Sequence, residues 1–175
     1  MSTTLKILAS LAAAGVVSVA AVGGTYANFT ASPTTIASNA FTTGTLTMSR
    51  SGSGAILTAA TMKPGDEATG SVTINNTGSL AGVYTLTGST SGSAALAGQL
   101  KLVLYKNTDN DVASKIYDGP LSSFSSVALG TLAATSGTGT YYFHVSLPTT
   151  GSDAGDNAFQ GLSATASFTW AATQA

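Results

Sequence analysis

From Asn39 onward, hydrophobic and polar residues alternate in short stretches that Gly, Ser, Asn, Asp and Pro interrupt. A period of two places successive side chains on opposite faces of an extended strand. Phe41 to Met48 alternates loosely around Phe41, Leu46 and Met48, and Ser51-Gly52-Ser53-Gly54 closes it. Ala55 to Met62, with Ile56 and Leu57, reads as a second strand. In Lys63-Pro64-Gly65-Asp66, Pro64 pre-sets φ and Gly65 supplies a positive φ, which predicts a turn. Thr69 to Ile74 predicts a half-buried strand through Val72 and Ile74, Asn75 to Ser79 a turn, and Val83 to Thr87 a strand around Tyr84 and Leu86.

The polar stretch Gly88 to Ser93 reads as a surface loop and Ala94 to Gly98 as one short helical turn. Gly98 to Tyr105 places Leu100, Leu102 and Leu104 on one face, with Val103 and Tyr105 on the other. A turn over Lys106 to Asp111 precedes a strand over Val112 to Tyr117, and Phe124 to Leu132 is a weaker strand. Thr140 to Leu147, carrying Tyr141, Tyr142, Phe143 and Val145, is a strong strand that Pro148 stops. After a loop from Thr149 to Asn157, Gly161 to Ala171 alternates without a break through Leu162, Ala164, Ala166, Phe168 and Trp170. About eight or nine short strands without a long helix predict an all-β antiparallel sandwich, and long strands at both ends raise the problem of exposed sheet edges.

The front of the chain follows another pattern. Lys6 is the only charge before Arg50, and Ile7 to Ala27 is uncharged and largely apolar. Thr25-Tyr26-Ala27 offers small residues at the positions a signal peptidase reads, so the expected cut lies between Ala27 and Asn28. A retained membrane anchor is the rival reading, since the run is long enough to span a bilayer. Ala, Gly, Ser and Thr dilute it, and no basic stop-transfer cluster follows. The expected organisation is therefore a cleaved export signal over 1–27, an extended arm over 28–40 and a sandwich domain over 41–175.

Composition narrows the function classes. A net charge of −1 and 7% charged residues leave no electrostatic footprint for nucleic acid. With no Cys, disulfides, thiolate metal sites, lipidation at an N-terminal Cys and Cys nucleophiles are excluded. His144 is the only His and lies inside the aromatic strand, so it reads as a strand side chain. A zinc site needs several ligands, and there is no His-Glu-x-x-His motif. No Gly-x-Ser-x-Gly elbow singles out a serine. Asp109 and Asp111 carry the oxygen ligands calcium prefers, but lack the Gly and closing Glu of an EF-hand loop, and a hairpin turn explains them as well. Asp153 and Asp156 read as a solvated loop, and no phosphate-binding loop is present. Asn28-Phe29-Thr30 and Asn75-Asn76-Thr77 match the N-glycosylation sequon at Asn28 and Asn75. No catalytic residue and no cofactor are expected.

Several segments, in order, resemble the TasA/camelysin family of secreted biofilm-matrix proteins, whose signal peptide is handled by the specialised peptidase SipW. Val22-Gly23-Gly24-Thr25-Tyr26-Ala27-Asn28-Phe29 is similar to its cleavage region, and Phe41-Thr42-Thr43-Gly44-Thr45-Leu46-Thr47-Met48 to its first strand. Met62-Lys63-Pro64-Gly65-Asp66, Ile74-Asn75-Asn76-Thr77-Gly78-Ser79-Leu80 and Asn157-Ala158-Phe159-Gln160-Gly161 resemble its later motifs. The chain is less charged than the founding member, and Gly88 to Ser136 shows no quotable match.

The resemblance implies a jelly-roll-like sandwich that polymerises into extracellular fibres, the N-terminal segment of one subunit completing a sheet of its neighbour. The arm that would do so is Asn28, Phe29, Thr30, Ala31, Ser32, Pro33, Thr34, Thr35, Ile36, Ala37, Ser38 and Asn39. It is too weakly apolar to be a core strand, yet its backbone groups suit strand addition; a disordered terminus is the plain alternative. The partners expected are copies of itself, a signal peptidase, and matrix proteins or polysaccharide, with the membrane met only through an uncleaved signal. Camelysin-type members are classed as metallopeptidases, an activity for which this chain lacks recognisable ligands. The rival functions are a monomeric adhesion or carbohydrate-binding sandwich, with aromatics such as Tyr26 or Tyr141 facing a ligand, and a secreted hydrolase.

Overall fold

A computed structural model describes residues 43–175; the expected export signal, the expected arm and the start of the expected first strand lie outside the described residues. In chain order the strands are β1 (Met48–Arg50), β2 (Glu67–Asn76), β3 (Gly82–Gly92), β4 (Lys101–Lys106), β5 (Lys115–Pro120), β6 (Ser126–Leu132), β7 (Thr138–Ser146) and β8 (Ala164–Gln174). Helix α1 (Ala94–Gln99) follows β3, and helix α2 (Asp153–Asn157) precedes β8.

Period-two alternation puts one row of each strand inward. Val72 and Ile74 of β2, Leu102 and Leu104 of β4, and Tyr141, Phe143 and Val145 of β7 form one wall of the core. Tyr84 and Leu86 of β3 with Leu129 and Leu132 of β6 form the other, and Phe168 and Trp170 of β8 pack against it. The walls are a five-stranded sheet ordered β1-β2-β7-β4-β5 and a three-stranded sheet ordered β6-β3-β8, with antiparallel pairing throughout. A jelly roll of two Greek keys places strands 2-7-4-5 over 1-8-3-6. Every pairing of that scheme is present except the first: β1 lies against β2 rather than beside β8.

Several sequence expectations need correction. The strand expected over Phe41 to Met48 starts only at Met48 within the described residues, because Thr45 to Thr47 bonds to a turn rather than to a strand. Ala55 to Met62 is irregular. Ile56 crosses the inner face of β2 at Gly70, where a Cβ would collide with its carbonyl, so this segment lies over the sheet instead of extending it. The polar stretch Gly88 to Gly92 is not a loop but the second half of β3, paired with β8 from Gly88↔Phe168 to Gly92↔Ala164. Its partner strand fixes it, whatever its polarity.

Val112 to Ser114 is a 3-10 turn, and the strand begins at Lys115. Ser152 caps α2 inside the segment expected to be a plain loop, accepting from the Gly155 amide. Asn75 and Asn76, expected in a turn, end β2, and the exposed Leu162 precedes β8. The Lys63 to Asp66 turn forms as expected: the Asp66 amide donates to the Lys63 carbonyl at 3.0 Å, and Gly65 has φ +94°.

Candidate functional site

The described chain begins on a docking segment. The Leu80 amide donates to the Thr45 carbonyl at 3.1 Å, and the Thr77 amide to the Thr47 carbonyl at 3.0 Å. The Thr45 amide donates to Ser79 Oγ at 2.8 Å, and the Thr47 and Thr77 hydroxyls lie 3.0 Å apart. Beneath this junction Asn76 is fully buried. Its Nδ2 donates to the carbonyls of Leu80 (2.8 Å) and Leu132 (3.3 Å), and its Oδ1 accepts from the Gly78 amide at 3.0 Å. Two of the family-like segments thus meet each other, and they hold the first described residues against the turn between β2 and β3.

The sheet edges differ in how they are protected. β1 is three residues long and ends on Arg50. β5 carries Lys115, Asp118 and Pro120 and is itself bulged at Ile116, opposite Leu104 and Tyr105. β6 is bulged opposite Tyr84 and Thr85, and the Lys106 ammonium donates to its Leu129 carbonyl. Charges, Pro, bulges and short length are the devices that blunt strand edges. β8 has none of them: it runs eleven uncharged residues and, among the described residues, pairs only with β3. Its inward row of Ala164, Ala166, Phe168, Trp170 and Ala172 is only half-buried. Trp170 Nε1 is buried without a hydrogen-bond partner among the described residues.

His144 lies on the outer face of the five-stranded sheet, between Thr69 and Val103, yet is only 9% exposed. Its Nδ1 lies 2.5 Å from Glu67 Oε1 and its Nε2 2.7 Å from Asp109 Oδ1, with the Tyr105 ring edge-on at 5.4 Å. Burial pulls its pKa down, but the hydrogen bonds to Glu67 and Asp109 outweigh it and leave the pKa raised. These groups do not fit a protease metal. Both ring nitrogens are taken by carboxylates on opposite sides of the ring, so the three side chains cannot converge on one ion. Among the described residues no group of three His, Cys, Asp or Glu side chains can hold a metal, and 1–42 contains none of these residue types.

The remaining candidates are accounted for locally. Asp109 grips His144, while Asp111 accepts from the Ala113 amide and caps the 3-10 turn. Asp156 accepts from the Thr150 amide and from the Thr149 and Thr150 hydroxyls, which hold its carboxyl below the usual range. Tyr141 is fully buried, so it cannot face a carbohydrate; burial raises its phenol to about 12. Asn75 is half-buried in β2, and Tyr26, the cut at Ala27–Asn28 and the arm 28–39 lie outside the described residues. Sequence reasoning missed Asn76 and Glu67 as anchoring residues. The only signals were Asn76's place before Gly78 and the single Glu of the chain set against the single His.

A family model described as camelysin metallo-endopeptidase matches residues 3–127, well over half of the 175 residues, and ends within β6. No curated protein matches the chain.

Proposed function

This chain belongs to the TasA/camelysin family, and from that premise we propose that it is a structural subunit of an extracellular, biofilm-matrix-type fibre. Membership supports a secreted or surface-associated matrix-type protein at the level of the family. Among the described residues no helix is long and apolar enough to cross a membrane. In the proposed cycle, removal of 1–27 after Ala27 frees the arm beginning at Asn28. Residues 28–39 of one subunit then add as a strand beside β8 of the next.

The observation that carries this reading is the unprotected β8 edge. The jelly-roll scheme has a strand on that side, whereas the first described strand of this chain pairs elsewhere. A strand added there would satisfy backbone groups along β8 and cover Phe168 and Trp170, the two aromatics of its half-buried row. The role needs no catalysis, and His144, the only imidazole that a peptidase metal could use, is already bound on both nitrogens.

Two variants test the proposal by negative-stain microscopy and size-exclusion chromatography. Deletion of Asn28 to Asn39 leaves a folded monomer that forms no fibres. Thr165→Lys with Thr169→Lys places charges on the outer face of β8 and blocks assembly while leaving the fold intact. Normal fibres from either variant would refute the arm-to-β8 reading, whereas monomers that bind polysaccharide would favour the adhesion alternative.

A further inference from the structure

The Glu67–His144–Asp109 cluster joins three separate parts of the domain. Glu67 opens β2, His144 lies in β7, and Asp109 lies in the loop between β4 and β5. That loop leaves β4 where the Asn107 amide donates to the Thr140 carbonyl at 2.7 Å, yet its Asp109 reaches His144, four residues further along β7. It therefore doubles back over the outer face of the sheet, and this cover is what buries a histidine on an otherwise outward row. The turn is tight: Asn107 and Asn110 take φ of +67° and +55°.

We propose that His144 is a proton-operated latch that holds the Asn107–Asp111 loop against the five-stranded sheet. The chemistry follows from counting protons. Protonated imidazole has two N–H donors, one for each carboxylate. Neutral imidazole has one donor and one lone pair, so one of its two nitrogens must turn a lone pair toward an acceptor. The two carboxylates then lose their shared cation and repel each other across the ring. Asp109 is the partner that yields, because it rides on a loop whereas Glu67 is held in a paired strand.

The groups facing His144 are Glu67 from β2, Asp109 from the loop and the Tyr105 ring from β4. Among the described residues no Lys or Arg forms an ion pair with either carboxylate: Lys101 and Lys115 engage Asp118, Lys106 the Leu129 carbonyl and Arg50 the Gly54 carbonyl, so the imidazolium is the cation that both carboxylates contact. The raised pKa of His144 places the change above the ordinary histidine value of about 6.5. Proton uptake shuts the latch and proton loss releases it.

The full chain tests this by NMR, where the single His gives one unambiguous imidazole titration. The expected result is a pKa above that of an unstructured histidine, lowered in Asp109→Asn and in Glu67→Gln. Amide exchange at Asn107 to Asp111, corrected for the intrinsic pH dependence, should speed up several-fold as pH rises through that pKa, and Asp109→Asn should abolish the change. Asp109 lies on an exposed loop, so its variant keeps the fold. A His144 pKa at or below that of free histidine, an Asp109→Asn titration like wild type, or loop exchange indifferent to pH would each overturn the latch.

Discussion

Replacing Asn76 isolates what the buried amide does beneath the contact between Thr45–Thr47 and the turn after β2. In Asn76→Ala, the Leu80 carbonyl loses its 2.8 Å donor outright, whereas the Leu132 carbonyl loses a longer bond of 3.3 Å. The Gly78 amide is less affected, because it also donates to the Thr47 carbonyl at 3.2 Å. One orphaned buried acceptor costs about 1–3 kcal/mol, and two weakened bonds with a small void add to it, giving a loss of roughly 2–4 kcal/mol. With a urea m-value of about 2 kcal/mol/M, the midpoint should fall by roughly 1–2 M. Trp170, the only Trp, reports the transition by fluorescence.

Asn76→Asp separates hydrogen bonding from packing. It fills the same volume but turns a carboxylate oxygen toward two carbonyls, so at neutral pH it should lose at least as much stability as Ala. Those carbonyls raise the folded-state pKa of the new Asp, so relative to wild type the variant should recover as pH falls and a donor returns. Near-wild-type stability of Asn76→Asp at neutral pH would refute the argument that the amide donors anchor this junction.

Other perturbations probe the rest of the fold. Phe143→Ala removes a fully buried ring lying 4.8 Å from Phe168 and 6.2 Å from Trp170, and should cost about 3–5 kcal/mol in a denaturant titration. Gly65→Ala forces a Cβ into φ +94°, and should lower stability by about 1 kcal/mol or more with no change in m-value. Stability should fall at both ends of the pH range. His144, with its raised folded pKa, contributes stability that is complete below its unfolded value and is lost as pH rises through the folded one. Asp118 and Asp156, with lowered pKa values, contribute stability that is present above their unfolded values and lost on acidification. Thermal melts across pH should show the alkaline loss disappear in His144→Gln while the acid loss remains.

Much of the β architecture was legible in the sequence because period-two alternation is local. Val72 with Ile74, and Leu102 with Leu104, could be assigned to shared faces from spacing alone, and Lys63 to Asp66 named its own turn. The family, too, was readable from segments whose order along the chain matched. Pairing partners were not legible, because a strand's neighbours are chosen by chain closure over long separations. Gly88 to Gly92 looked like a loop until β8 lay beside it, and Ala55 to Met62 looked like a strand until it crossed a sheet face instead of an edge. For the same reason the only Glu and the only His, 77 positions apart, could not be seen to meet, nor could Tyr141 be told from an exposed aromatic. The sequence by itself determined which positions share a strand face and where some of the turns fall, such as Lys63 to Asp66. Only the tertiary structure decided which edge stays unprotected and which titratable groups meet, since both depend on which strands the fold makes adjacent.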